Sequence, residues 1–288
     1  MITRHVNAQE HPRTRSSLPP LTLLAYLLIG IGGVVMMLPL AWMVSASFKP
    51  MSEIIQVPPT WIPQHFTFRN YQQVFAEFPF ARYFLNSVVT TLLIILSVLI
   101  SSVSGGYALA KFRLPGQHVI LILFLLALMV PFQSLMVPTY QLMVSLHLVN
   151  TYAGVVYPFL FSATGIFLMR QFISDLPSEL IEAARIDGAS EPRILMSVIL
   201  PLLGPALAAL TILEFSSAWE EFLWPSIITS SDATRTIPIG LQYFAEQYGT
   251  RIDLQMAGST LAALPVILGF LLLQKQFIEG IALTGVKG

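Results

Sequence analysis

Six long apolar stretches constrain this chain more than any other feature of its sequence. A helix needs about 20 mostly apolar residues to cross the hydrocarbon core of a bilayer. Six segments have that length: Leu21–Val44, Phe84–Ala110, Val119–Val137, Tyr152–Phe172, Val198–Phe222 and Ala257–Phe277. Only 10% of the 288 residues are charged, against roughly 25% in soluble domains. The sequence therefore predicts an all-α integral membrane protein with six transmembrane helices.

The first apolar stretch has two interpretations. A secretory signal peptide has an apolar core of about 7–15 residues. Leu21–Val44 is longer, which favours a retained membrane helix over a signal cleaved near Ser45-Ala46-Ser47. Residues 1–20 are then predicted to be a cytoplasmic N-terminal tail, and residues 21–288 to form a single transmembrane domain.

The lysines and arginines predict the orientation of the chain. When the N-terminus is placed in the cytoplasm, ten of the fifteen lie in segments that face the cytoplasm. Cytoplasmic loops of membrane proteins are enriched in these residues. Both termini are therefore predicted to be cytoplasmic, and the outer loops 45–83 and 223–256, rich in aromatic residues, are predicted to be ordered.

The sequence lacks the signatures of several kinds of chemistry. The formal net charge is zero, so no basic field favours binding to nucleic acid. The chain has no cysteine, and its five histidines fall in tails and loops without a metal-binding spacing. No GxxxxGK[ST] loop that would cradle phosphates is present. We therefore predict no catalytic residue, no metal and no cofactor on this chain, against the alternative of a membrane-embedded enzyme.

The predicted cytoplasmic loop 174–197 contains a helix–turn–helix pattern. Pro177 suits a first helical turn, and the residue types over 179–186 favour helix. Gly188 follows where a left-handed residue often ends a helix, and Ser190 is placed to cap a second one. An isolated helix this short is marginal in water. It must dock either on a partner protein or on the chain's own helix ends, and periodicity alone leaves both open.

The same loop resembles the EAA loop of ABC importer permeases. Glu182-Ala183-Ala184 is followed by Gly188 and then by Val198-Ile199-Leu200-Pro201, similar to the family pattern EAA…G…I-x-L-P, with Val198 where isoleucine is usual. In that family the loop forms the coupling helix that sits in a cleft of the ATPase subunit. The resemblance implies the following ATPase-coupling residues: Glu182, Ala183, Ala184, Asp187 and Gly188.

Other segments resemble the carbohydrate-uptake branch of these permeases, the maltose type, and most of all its smaller, six-span subunit. The segment from Gly106 to Arg113 reads GYALAKFR, and Pro131-Phe132-Gln133 interrupts the third stretch. The residues from Trp219 to Phe222 read WEEF, similar to a W-N-[DE]-F motif, with Glu220 where asparagine is usual. The resemblance covers nearly the whole chain.

The resemblance implies a function and a set of partners. The fold would be the type I importer transmembrane fold, in a bacterial inner membrane. The chain would be no enzyme but a permease subunit moving a sugar or oligosaccharide inward by alternating access. Its partners would be a second permease subunit, a dimer of ATPase subunits that holds ATP and magnesium, an extracytoplasmic solute-binding protein and membrane lipid.

Residues of the fifth stretch are candidates for the path of the solute. Glu214 lies at membrane depth, where a charge costs about 2.5–3.5 kcal/mol and should face a cavity or a partner. A carboxylate accepts hydrogen bonds from sugar hydroxyls, but a paired structural carboxyl is an equal alternative. We predict Glu214, Trp219 and Glu220 as path residues. The alternative function is a secondary transporter driven by an ion gradient, a class in which internal repeats and paired intramembrane charges are common.

Overall fold

The computed structural model describes residues 20–112, 115–247, 249 and 251–285. Apart from Pro20, the predicted cytoplasmic tail lies outside the described residues, and so do Arg113 and residues 286–288. The described residues form helices joined by turns and loops, with no strand among them, which confirms the predicted all-α class.

Three long helices each have the length and apolar character of a membrane span. They are α1 (Pro20–Ser47), α4 (Phe80–Lys111) and α15 (Ile252–Gly285). Their positions match the first, second and sixth predicted stretches, and α4 begins four residues earlier than predicted. Pro39 and Pro265 lie inside α1 and α15 without breaking them, as bilayer helices tolerate when neighbouring groups compensate.

The other three predicted stretches are recovered as bent helix pairs. The helices α5 (Gln117–Leu128) and α6 (Phe132–Ser145) meet at 97°. The helix α7 (Tyr152–Val156) continues as a 3-10 turn to Phe159 and meets α8 (Ala163–Ser174) at 50°. Counting each bent pair as one span, the described part of the chain has up to six spans.

The third bent pair follows the predicted coupling loop. The helix α9 (Ser178–Ile186) precedes α10 (Glu191–Ile194), which runs through a π-helical turn, Leu195–Ile199, into α11 (Leu200–Leu202). The chain then turns by 82° into α12 (Gly204–Glu220) and α13 (Leu223–Ile228). The break falls at Leu203, directly before Gly204-Pro205, and proline lacks the N–H that would continue the preceding helix.

The loop between α1 and α4 is ordered, as predicted from its composition. It contains the helices α2 (Met51–Ile54) and α3 (Arg69–Glu77). Buried Glu53 accepts hydrogen bonds from the backbone N–H groups of Gln64 (2.8 Å) and His65 (3.1 Å). Burial alone raises the pKa of the Glu53 carboxyl, but these bonds outweigh it and hold the pKa below its usual range.

The helix α4 lies at the centre of the fold. It packs against α8, α12 and α14 (Ile237–Gln247), and its side chains contribute to two of the buried clusters. The contact with α8 is close, because a Cβ atom on Gly106 would lie 2.7 Å from the backbone nitrogen of Arg170. Small residues permit such close helix packing in membranes.

Candidate functional site

The predicted coupling helix is present as α9, and it ends in a turn that needs glycine. Gly188 has a φ of +78°, in the left-handed region that L side chains rarely adopt. The N–H of Ala189 donates to the carbonyl of Ala184, and the N–H of Gly188 donates to that of Arg185, both at 3.0 Å. This pair of bonds is the Schellman arrangement, so the glycine is required by the backbone of the turn.

The two faces of α9 have different surroundings. Ile181 is only 2% exposed and belongs to a buried cluster with Tyr107 and Ile194. In contrast, Glu182, Ala183, Asp187 and Gly188 are exposed, and Ala184 is half-buried. The apolar Ile186 beside them is 86% exposed. The helix therefore docks on its own chain through one face and presents four of the five predicted coupling residues on another.

Charged side chains fasten α9 to the rest of the protein. Arg185 Nε donates to Glu191 Oε1 at 2.7 Å, and the Tyr107 hydroxyl donates to Glu191 Oε2 at 2.6 Å. Lys111 Nζ donates to the carbonyl of Leu176 at 2.7 Å. Sequence reasoning missed Tyr107, Lys111 and Glu191, although the GYALAKFR motif contains the first two. Ser190 stands at the start of α10 but makes no capping bond with its side chain.

The structure places Glu214 in a small cavity between α4, α12 and the 3-10 turn at Tyr157–Phe159. The cavity has a volume of about 20 Å³, enough for about one water molecule. Its lining residues are Ile94, Phe159, Glu214, Ser217, Ala218 and Glu221. Glu214 and Ser217 lie three residues apart on one face of α12, and Glu221 directly follows the end of that helix.

Glu214 also meets the break in the fourth span. The Ser162 side chain lies near enough to the Glu214 carboxyl to interact with it. Ser162 caps α8 by accepting a bond from the Gly165 N–H at 3.0 Å. Irregular backbone at membrane depth occurs where it lines a cavity or is buried in protein. The break in the fourth span and the Glu214 carboxyl therefore border the same cavity.

The other two predicted path residues lie elsewhere. Trp219 is 4% exposed, donates from Nε1 to the carbonyl of Ala262 at 3.0 Å, and stacks on Phe215. Glu220 is exposed and lines a separate groove of about 370 Å³ with Leu40 and Pro238. Successive residues of an α-helix point about 100° apart around its axis. Glu214 therefore points to a different side of α12 from Trp219 and Glu220. Sequence reasoning did not include Ser217 and Glu221, which share the cavity with Glu214.

The described residues contain no cluster of side chains that could bind a metal ion. No group of three or more His, Asp or Glu side chains there is close enough to hold one.

Comparison with known proteins identifies the family. Residues 97–280 match the family described as "Binding-protein-dependent transport system inner membrane component". The chain is 40% identical to the arabinooligosaccharides transport system permease protein AraQ of Halalkalibacterium halodurans, over 87% of this chain and 91% of that protein. It is 32% identical to the sn-glycerol-3-phosphate transport system permease protein UgpE of Yersinia pestis, over 91% of this chain and 96% of that protein.

A solved structure shares the fold. It is a crystal structure of a bacterial ABC transporter involved in the import of the acidic polysaccharide alginate. The matching chain superposes with a TM-score of 0.80 at 25% identity, covering 90% of this chain and 96% of that one. The protein therefore belongs to the family of inner membrane components of binding-protein-dependent transport systems, the permease subunits of ABC importers.

Proposed function

We propose that this chain is the permease subunit of an ATP-driven importer that moves a neutral sugar or oligosaccharide into the cell. Family membership and the relatives named for arabinooligosaccharides support this proposal. The chain itself catalyses no reaction, and ATP and magnesium bind to a separate ATPase dimer. A second permease subunit and an extracytoplasmic binding protein complete the transporter.

The exposed face of α9 is the observation that supports this function best. Ala183 and Gly188 carry little side-chain bulk, so a partner surface can approach the helix closely. Ile186 adds an apolar contact that is 86% exposed in the isolated chain, and burying such a side chain is favourable by about 1.5–3 kcal/mol. We assign this face to the ATPase subunit, in the cytoplasm together with both chain termini, as the distribution of lysines and arginines favours.

Transport would proceed by movement of rigid helices between two states. ATP binding closes the ATPase dimer and moves α9, and the two permeases alternate between inward-facing and outward-facing arrangements. Packed elements switch between discrete positions rather than deforming continuously. The bends at the third, fourth and fifth spans divide these spans into shorter units that can move separately.

The side chains around the Glu214 cavity, which itself has room for about one water molecule, favour a neutral, hydroxylated solute along this path. Glu214, Ser217 and Glu221 offer oxygen acceptors to sugar hydroxyls, and no lysine or arginine lines the cavity as described. The acidic side chains facing the path supply no positive charge to pair with a phosphate or a uronate. On this basis we favour a neutral sugar over the anionic solutes for which some relatives are named.

Co-purification and uptake together test the proposal. The C-terminally tagged chain is extracted in mild detergent, its partners are identified, and the assembly is reconstituted in vesicles with its binding protein. We expect an ATPase subunit and a second permease, with uptake that requires ATP, persists with an uncoupler and is not inhibited by glycerol 3-phosphate. A chain that purifies alone, with uptake abolished by the uncoupler, would instead establish the secondary transporter.

A further inference from the structure

We infer that Tyr107 and Lys111, one turn apart on α4, are positioning residues that hold both ends of the coupling helix and pass its movement to the second span. The inference rests on the proposed function, since it concerns how the energy of the ATPase reaches the spans. Lys111 lies four positions after Tyr107, so the two side chains project from the same face of α4.

Lys111 holds the beginning of α9. Its ammonium donates to the carbonyl of Leu176 at 2.7 Å and lies 3.5 Å from the hydroxyl of Ser178. Ser178 is the first residue of α9, and Leu176 lies two residues before it. A hydrogen bond from a charged donor is roughly twice as strong as a neutral one, so the start of the helix is fixed to the end of α4.

Tyr107 holds the other end of α9 through Glu191. Both carboxylate oxygens of Glu191 are used, one by the Tyr107 hydroxyl at 2.6 Å and one by Arg185 Nε at 2.7 Å. Arg185 lies in the last turn of α9, and Glu191 is the first residue of α10. One carboxylate therefore joins α4, α9 and α10, on both sides of the Gly188 turn.

The middle of α9 is held by packing. Ile181 and Ile194 lie in the same buried cluster as Tyr107 and Met169. The helix is thus attached to α4 at its start and, through Glu191, at its end, and its centre packs into the cluster to which Tyr107 belongs. It cannot move independently of α4 without breaking charge-assisted hydrogen bonds.

The contacts continue from α4 towards the proposed solute path. Next to Tyr107, Gly106 packs directly on the backbone of α8 at Arg170, and Arg170 Nε donates to the carbonyl of Leu109 at 3.4 Å. The other end of α8 carries the Ser162 cap that contacts Glu214. Movement of α9 thus has a second contiguous route to the cavity, through Lys111, α4 and α8, besides the route along α10 and the fifth span.

The test is the number of solute molecules imported per ATP hydrolysed by the complete transporter in vesicles. Tyr107→Phe and Lys111→Met remove the two bonds while keeping side chains of similar size. Tyr83→Phe is the matched control, since Tyr83 also donates to a carboxylate from α4, but at its opposite end. Lys111→Arg keeps a charged donor and serves as the conservative rescue.

We expect Tyr107→Phe and Lys111→Met each to lower the ratio about tenfold, a change typical of losing a hydrogen bond to a charged group. Basal ATP hydrolysis and the amount of assembled complex should stay as in the wild type. Tyr83→Phe and Lys111→Arg should keep the wild-type ratio. If Tyr107→Phe does not assemble, Glu191→Gln, at a half-exposed position, replaces it with the same expectation.

Two results would overturn the inference. One is a wild-type ratio in both Tyr107→Phe and Lys111→Met, and the other is an equal loss in Tyr83→Phe, which would indicate general loosening of α4. Failure of the proposed function would look different, because the wild-type complex itself would then show no ATP-dependent uptake.

Discussion

The two ends of α4 are held by the same three kinds of side chain. At the end near Phe80, Asp232 accepts from the Tyr83 hydroxyl at 2.5 Å and from Arg235 Nη1 at 2.8 Å. At the end near Lys111, Glu191 accepts from Tyr107 and Arg185 at 2.6 and 2.7 Å. In each case a tyrosine of α4 and an arginine share one carboxylate on another segment.

The surroundings of these two groups differ. At the Phe80 end, Asn86 Nδ2 donates to the carbonyl of Arg235 at 2.8 Å, and the Ser87 hydroxyl accepts from the Ile237 N–H at 2.8 Å. The Tyr152 hydroxyl donates to Asn86 Oδ1 at 2.5 Å. These neutral bonds tie α4 to the start of α7 and to the segment before α14, so this end of the helix is part of a rigid frame.

At the Lys111 end, the bonds to α9, the proposed coupling helix, are few and charged. They converge on α9, whose other face is exposed, and this end is therefore suited to receive a partner's movement. The comparison indicates that a Tyr–carboxylate–Arg group stabilises the frame at one end and transmits movement at the other. Substitutions at each end of α4 separate these two roles.

The largest expected effect is at the packing contact beside Tyr107. In Gly106→Ala the new Cβ would lie 2.7 Å from backbone and side-chain atoms of α8, which cannot move without shifting that helix. We expect a loss of about 1–3 kcal/mol in stability, as overpacking usually causes, measured as a lower thermal midpoint in detergent. Gly32→Ala is the control, because no atom lies within 4 Å of its Cβ position. Equal midpoints for the two variants would contradict the close packing of α4 on α8.

The next effect concerns the turn after α9. A β-branched residue at position 188 has open space around it but must adopt a positive φ, which costs roughly 1–2 kcal/mol. We expect Gly188→Val to abolish most ATP-driven uptake while the chain still inserts and folds. Gly188→Asn should retain much more activity, since asparagine tolerates the left-handed region. Uptake lost equally in both variants would show that side-chain bulk, rather than backbone conformation, matters there.

A smaller effect is expected at the Phe80 end. Tyr83→Phe removes one bond to Asp232 but leaves the Asn86 and Ser87 bonds in place. Stability should fall by about 0.5–1.5 kcal/mol, the usual net value of one hydrogen bond, read from the thermal midpoint. The imported solute per ATP should not change. A variant with normal stability but a poor transport ratio would reverse the roles assigned to the two ends.

The smallest effect is the pH dependence of the Phe80 end. The Tyr83 hydroxyl, together with Arg235, holds the pKa of the Asp232 carboxyl below its usual range. The Asp232 carboxyl therefore binds a proton more readily in the unfolded chain than in the folded one. The stability that its folded-state bonds contribute is present above about pH 4 and is lost as the pH falls below that value. The difference in thermal midpoint between the wild type and Asp232→Asn should become smaller as the pH is lowered. A difference that grows instead would contradict this sign.

Local signals predicted much of this structure. The apolar stretches located the spans, because length and composition alone determine whether a segment can cross a bilayer. Gly188 located the turn after α9, because a glycine directly after a predicted helix indicates the left-handed residue that ends it. Pro131 located the break in the third span, but the 97° angle depends on how α5 and α6 pack.

The pairings at the two ends of α4 were beyond sequence reasoning. Glu191 lies 84 positions from Tyr107, and Asp232 lies 149 positions from Tyr83. No periodicity links residues so far apart in one sequence. The positions of Trp219 and Glu220 relative to Glu214 were also beyond the sequence, since the faces of α12 are assigned only by the helices packed against them, and their role in the solute path stays a prediction.

The assignment of α9 to the ATPase contact is tested most directly by site-specific cross-linking. The chain has no cysteine, so single cysteines can be introduced at Ala183 on α9 and at Ile55, an exposed residue of the loop between α1 and α4. With a short bifunctional maleimide and a cysteine in the ATPase cleft, Ala183→Cys should form a cross-linked product in the working complex, and Ile55→Cys should not. A transporting complex in which Ala183→Cys gives no product, or in which Ile55→Cys does, would contradict the account.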